Sequence, residues 1–492
     1  MRAFLLLAVV FFLSSQVQSQ QSATRSTARF AGGYHIDVKV TPLKNSWVYL
    51  YNYYGKYYQI ADSARLNERS EGLFSGPKKL HGGIYLLVTD KKVRLCEVHI
   101  DKDQEFSIVA DTSKPEQPVI TGSPENTLYK EYSDFLGRVA PRLTELQQQF
   151  ATAGTKEDSA SIQKQISAGN KQLQDYRENI IRTQPESMLA AFFRTMKRPE
   201  VPEMPKKADG SLDSSYPFRY VQEHFWDDVD FADDRLVRTP APIFESKLDD
   251  YFKYYVSPDA DSIIKEVRYM LLYAREAKEM YRYLLARFTN KYMNPEIMGQ
   301  DKVFVYLFEN HYLKGDTSIL TDKDKETVFK RGWSLIANQI GEPAPALDLV
   351  DSAGRSTPLY KLNAAYTLVV FWDPNCGHCK ETVPRIDSIY RAKWKGLGMK
   401  VYAVNVDETT MKAWSEFIAK HDLYAWTHTY QPKAQRDEEA ASGRPNFRQL
   451  YDVYKTPTLY LLDEQKRIIA KNLDISGFDE VLTAKEKNKP KK

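Results

Sequence analysis

Cysteine is scarce in this chain: 492 residues contain three, Cys96, Cys376 and Cys379. Exported domains stapled by disulfides carry more, in even numbers, so a disulfide scaffold is excluded. Charge of one sign is lacking too. The formal net charge of +4 is small for this length, and Lys and Arg are interspersed with Asp and Glu. That balance argues against nucleic acid or an anionic membrane surface as a partner. Beyond the first residues no apolar run is long enough to span a bilayer, so the chain is not expected to be membrane-spanning. No paired-histidine pattern accompanies the cysteines, and zinc normally takes four ligands; neither a metal nor an organic cofactor is expected. What is present is a globular composition, 42% hydrophobic and 27% charged, at a length that suggests about two to four domains.

The first 19 residues read as a signal peptide. Arg2 is a positive start, Phe4 to Leu13 is an apolar run too short to cross a membrane, and Val17-Gln18-Ser19 offers a cleavage site after Ser19. No cysteine stands nearby to carry a lipid. The mature protein is expected to be exported, to a periplasm or cell envelope.

Residues 28–122 have β character. Ile36, Val38 and Val40 alternate with polar residues, and Trp47, Tyr49, Tyr51 and Tyr53 fall on one face of the next strand. Ile84–Val88, Val93–Ile100 and Phe106–Val109 are further short runs between Gly- and Asp-rich turns, which predicts a small antiparallel β-sandwich. The Tyr-rich strand fits a sheet face better than a stacking platform for glycans, and Cys96 fits a buried small hydrophobe.

Residues 123–340 read as all-helical. Ser123 and Pro124 make a helix start, and Leu128, Tyr132, Phe135 and Val139 follow at helical spacing, continued past Pro141 by Leu143, Leu146 and Phe150. Ile162, Ile166, Leu173, Tyr176 and Ile180 mark a second helix, joined to the first through the polar stretch 151–160 as a hairpin. Asp227, Asp228, Asp230, Asp233 and Asp234 lack the Gly and Glu of a calcium loop and read as a solvated acidic face. His224 and His311 have no ligand pattern around them. In residues 341–486 strand and helix patterns alternate, an α/β layer signature. Residues 487–492 form a basic tail.

The chemistry concentrates at Cys376-Gly377-His378-Cys379, directly after the apolar run Leu368–Trp372 and at the start of a helical pattern. Two cysteines at this spacing close and reopen a redox-active disulfide. Cys376 falls at a helix N-terminus, where unpaired N–H groups favour a thiolate, with His378 and Lys380 beside it. It is the expected nucleophile, and Cys379, one turn on, the resolving thiol.

Phe371-Trp372-Asp373-Pro374-Asn375-Cys376-Gly377-His378-Cys379-Lys380 resembles the active-site segment of thioredoxin-like proteins of the TlpA/ResA group. Gly341–Leu349 resembles that group's opening hairpin, and Lys455-Thr456-Pro457-Thr458 its cis-proline loop, in the expected order. The resemblance implies a C-terminal α/β thioredoxin-like fold and an exported thiol–disulfide oxidoreductase acting on protein thiols or disulfides of the envelope, with a membrane electron donor. It implies that Pro457 is cis and lies against the cysteines, with Thr456 exposing its backbone to substrate. Trp372, Pro374, Gly377 and His378 shape the site. The regions 57–87 and 231–240 resemble an uncharacterised β-domain and a helical domain found before such domains in Bacteroidetes-type envelope proteins. Two positions depart from the pattern: Val370 stands where thioredoxins keep a buried Asp, and Thr382 where ResA-like proteins keep a Glu. Glu381 points about 100° away from that position on a helix, and Glu408 is a further candidate proton acceptor. Gly377-His378 is the dipeptide of protein disulfide isomerase, whose potential is about −180 mV against about −270 mV for thioredoxin, so the direction of electron flow stays open. Two alternatives stand beside this reading. One is a thiol peroxidase of the AhpC/TSA type, which keeps a Thr or Ser where this chain has Asp373. The other is an envelope binding protein with a redox-controlled domain.

Overall fold

The computed structural model describes residues 32–115 and 117–488. The expected signal peptide and most of the basic tail lie outside those residues. Alternation sets the first strands. In β1 (Tyr34–Thr41), Ile36, Val38 and Val40 are buried while Asp37 is exposed. β2 (Trp47–Tyr54), β3 (Tyr57–Arg65), β4 (Glu71–Gly76), β5 (Gly83–Thr89), β6 (Arg94–Ile100), β7 (Glu105–Asp111) and β8 (Val119–Thr121) follow. They form two four-stranded sheets, in the orders β4-β1-β7-β8 and β3-β2-β5-β6. Ile36 and Ile108 of one sheet and Leu50, Leu87 and Val98 of the other share one core.

The expected wholly antiparallel arrangement needs correction: β1 pairs with β7 in parallel, Val38 opposite Ile108. After β4 the chain crosses to the second sheet for β5 and β6, then returns beside β1 in the same direction. The aromatic face of β2 is also only partial. Tyr49 and Tyr51 lie on its outer side, but Tyr53 is buried. Cys96 is buried, and burial pushes its thiol up to about 12.

The helical region comprises α1 (Pro124–Ala151), α2 (Lys156–Thr183), α3 (Met188–Met196), α4 (Tyr216–His224), α5 (Glu245–Tyr254), α6 (Ala260–Tyr273), α7 (Lys278–Met293), α8 (Asp301–Asn310) and α9 (Asp322–Ile336). α1 runs unbroken through Pro141. Thr155 caps α2 by accepting from the Asp158 N–H at 3.1 Å. The hairpin closes tightly at Gly169, where a Cβ would meet Leu143 Cδ2 at 2.6 Å. The acidic stretch is partly structural: Asp233 accepts from the Arg235 N–H at 3.0 Å, and Asp234 from the Met280 N–H at 2.8 Å. Both histidines have polar partners that spacing did not reveal. His224 meets Asp227 at 2.6 Å, and His311 meets the Tyr281 hydroxyl at 2.7 Å.

The last region holds β9 (Tyr366–Trp372), α10 (Gly377–Ala392), β10 (Met399–Asn405), α11 (Met411–Lys420), β11 (Thr427–Tyr430), α12 (Lys433–Ala441), α13 (Phe447–Leu450), β12 (Thr458–Leu462), β13 (Ile468–Lys471) and α14 (Ile475–Lys487). Its sheet order is β11-β10-β9-β12-β13. β10 is parallel to β9 and β11, while β12 is antiparallel to β9 and β13. Central β9 is buried on both faces, as a continuous apolar run requires. Leu368, Val370 and Trp372 enter one core with Cys379, and Val369 and Phe371 enter the other.

The chain divides into two compact units. Among the described residues, one contains residues 32–52 with Gln59–Arg138; the other contains Tyr53–Tyr58 and residues 139–488. The helices after Val139 and the last sheet therefore belong to the same unit. A buried cluster ties them: Lys471 of β13 pairs with Asp301 of α8 and donates to the Asn338 carbonyl at 2.8 Å and its Oδ1 at 2.7 Å. Among the described residues no helix is long and apolar enough to cross a membrane.

Candidate active site

β9 delivers the site. After Trp372 the chain turns: Asp373 Oδ1 accepts from the Asn375 N–H at 2.8 Å, and the Asp373 carbonyl from the Cys376 N–H at 3.1 Å. Cys376 then caps α10, with extended backbone at φ −71 and ψ 126. Its sulfur sits over the unpaired first amides of the helix, a setting that favours negative charge. The two cysteines are free thiols.

Their surroundings differ sharply. Cys376 is partly exposed, and its Sγ lies 3.3 Å from the Thr456 carbonyl, to which the protonated thiol donates. Partial burial alone would raise its pKa. Hydrogen bonding with Thr456, Cys379 and His378 acts the other way, and together these hold it below the ordinary thiol value. Cys379 is fully buried, and desolvation pushes its thiol up to about 12 despite the opposing effect of the Asp373 backbone and Thr456. The pair is thus one accessible, acidified thiol above one shielded, protonated thiol.

Cys376, Cys379 and Thr456 converge, and the Thr456–Pro457 peptide bond is cis. Gly377 and His378 are exposed at the start of α10, and Pro374 is buried in the turn before it. Trp372 lies behind the cysteines in the core. It is 0% exposed and packs on Phe417 with ring centroids 5.1 Å apart, so it supports the site from behind. The Thr456 hydroxyl is the contribution that sequence reasoning missed, since the resemblance pointed only to its backbone. The carboxylates weighed as proton acceptors do not gather around Cys379: Glu381 is exposed and Glu408 half-exposed, while Val370 fills the core beside Cys379.

An accessible thiol at a helix N-terminus, a buried partner one turn on, and a Thr-Pro loop across the sheet define a thioredoxin-like thiol–disulfide oxidoreductase. The family comparison agrees: residues 340–471 match the AhpC/TSA family. Residues 153–330 match a domain of unknown function, DUF5106. No curated protein gave a significant match. Among solved structures, a domain of a possible thiol-disulfide isomerase from Cytophaga hutchinsonii is 32% identical, covering 30% of this chain and 93% of its own, with a TM-score of 0.25. The thioredoxin domain of a thiol-disulfide oxidoreductase from Bacteroides vulgatus is 26% identical over 30% of this chain and 96% of its own, with a TM-score of 0.25. A thioredoxin-like protein from Bacteroides caccae is 21% identical, covering 58% of this chain and 99% of its own, with a TM-score of 0.42.

Proposed function

We propose that the protein is an exported thiol–disulfide oxidoreductase that exchanges a dithiol for a disulfide with envelope proteins through Cys376-Gly377-His378-Cys379. The asymmetry of the pair carries this reading: an accessible sulfur held below the ordinary thiol pKa, over a buried one held far above it. In the reducing direction the Cys376 thiolate attacks one sulfur of a substrate disulfide. The substrate S–S bond breaks, a mixed disulfide forms and one substrate thiolate leaves. Cys379 then gives up its proton and attacks Cys376 Sγ, which releases the second substrate thiolate and closes the Cys376–Cys379 disulfide. Two electrons have passed to the substrate. A dithiol donor, at the membrane by the family resemblance, restores the pair. The oxidising direction runs the same steps in reverse.

Cys376→Ser tests this directly, because it removes the attacking sulfur and should bring disulfide exchange to background. Cys379→Ser should instead accumulate a mixed disulfide visible on non-reducing gels. Undiminished turnover in the Cys376 variant would falsify the assignment. Export is tested separately by sequencing the mature N-terminus, which should begin at Gln20.

A further inference from the structure

The segment leading into the Thr456–Pro457 loop is gripped by a helix of the neighbouring helical region. Arg331 of α9 forms an ion pair with Asp452, four residues before Thr456. The same guanidinium donates to the Met293 carbonyl at 3.0 Å and Asn294 Oδ1 at 2.9 Å, which fixes it from the helical side. It also lies 5.3 Å from the centre of the Tyr454 ring, and the Lys330 ammonium lies 5.5 Å from that centre. Just past the end of α9, Asn338 Nδ2 donates to the Leu450 carbonyl at 3.0 Å. α9 itself is seated closely on α8, since a Cβ at Gly332 would come within 2.5 Å of the Phe308 ring.

The pair does not have the form of a stabilising fork. The Asp452 and Arg331 side chains are 9% and 15% exposed, yet Asp452 Oδ1 and Arg331 Nε are buried without a hydrogen-bond partner among the described residues. A singly bonded buried pair recovers little of its desolvation cost, and apolar residues would serve stability as well. What it does supply is direction. Asp452 sits in the left-handed region at φ 52, so the chain bends sharply there before running to Thr456, whose carbonyl meets Cys376 Sγ at 3.3 Å.

We infer that Arg331 is a positioning residue for the exchange reaction: through Asp452 and Tyr454 it holds the Thr456 backbone where a protein segment pairs beside Cys376. This rests on the oxidoreductase reading above. It makes the helical region part of the substrate-recognition apparatus, and it distinguishes two kinds of substrate. A folded or extended polypeptide needs the Thr456 backbone in register, whereas a small aromatic disulfide needs only the Cys376 thiolate.

The test uses the full chain, with insulin as the protein disulfide and a small aromatic disulfide reagent as the control. Arg331→Met should raise KM for insulin by about fivefold or more, with kcat and the small-disulfide rate within about twofold of the parent. Arg331→Lys should recover part of that loss. Asp452→Asn, a milder change in packing, should shift KM in the same sense and should not add to Arg331→Met in the double variant. An unchanged insulin KM, or equal slowing on both substrates, would overturn the proposal, the latter because it marks general loss of structure. A parent chain that reduces neither substrate would instead defeat the oxidoreductase reading, and this proposal with it.

Discussion

Cys376 Sγ lies 3.3 Å from the carbonyl of Thr456, 80 residues further along the chain. The contact joins the N-terminus of α10 to the loop before β12, and the Thr456 side chain acts to lower the pKa of both thiols. Thr456 therefore has two duties: its backbone borders the reactive sulfur, and its hydroxyl stabilises that sulfur once ionised.

Thr456→Val should separate them. It keeps the β-branched shape and the carbonyl but removes the donor. Partial burial raises the Cys376 pKa and the hydrogen bonds lower it, so losing one must raise it. Below the midpoint, reactivity follows the thiolate fraction, so alkylation of Cys376 at pH 7 should slow by roughly two- to fivefold, a hydrogen bond's worth at a partly exposed sulfur. Well above the midpoint both proteins should react alike. The pH profile of iodoacetamide labelling measures this, and an unshifted midpoint would show that the hydroxyl is not engaged.

Proton transfer from Cys379 should be the slow part of resolution. The thiol is fully buried, which pushes its pKa up to about 12, and Val370 belongs to the same core. Val370→Asp would put a carboxylate in that core. Burying it without a designed partner should cost roughly 1–3 kcal/mol or more, seen in urea unfolding. In exchange, release of substrate from the mixed disulfide should quicken between pH 6 and 7 in stopped-flow measurements. A destabilised variant with no change in that rate would mean that solvent already takes the proton.

How much of this was legible beforehand follows the range of each interaction. The capping position of Cys376, the alternation in β1 and the apolar run of β9 are local patterns, and they carried the fold class and the placing of the cysteine pair at a helix start. The parallel pairing of β1 with β7 was not legible, because it depends on where a strand returns after crossing between sheets. Nor were the pairs Arg331–Asp452 and Lys471–Asp301. They span 121 and 170 residues, and each member looks like an ordinary surface charge in its own window.

Peroxide should be a poor oxidant of this site. Three residues before Cys376, where a thiol peroxidase keeps a hydroxyl, Asp373 presents a carboxylate engaged with the Asn375 N–H at 2.8 Å. A negative charge there orients no peroxide and repels the developing anion. Hydrogen peroxide should therefore oxidise Cys376 without saturation, at the rate of an unassisted thiolate. Stopped-flow tryptophan fluorescence follows it, and fast, saturable consumption would return the peroxidase reading to contention.

The buried Lys471–Asp301 pair should hold the helices and the last sheet together as one cooperative unit. The two side chains are 2% and 7% exposed, and the ammonium also donates to the Asn338 carbonyl and Oδ1, so three acceptors depend on a single cation. Burial lowers the lysine's pKa and the Asp301 charge opposes that fall, as expected of a cation that persists only because its partner is in place. Lys471→Met keeps the stem's volume but strands a buried carboxylate, which should cost about 3–5 kcal/mol. Adding Asp301→Leu removes that charge and should restore a substantial part, though the Asn338 groups stay unpaired. In guanidinium unfolding, with the helices followed by far-UV circular dichroism and Cys379 by its accessibility to thiol reagents, the single variant should expose Cys379 before the helices melt. The double variant should bring the two transitions back together. If the single variant unfolds in one step at the parent's midpoint, the cluster does not couple the two regions.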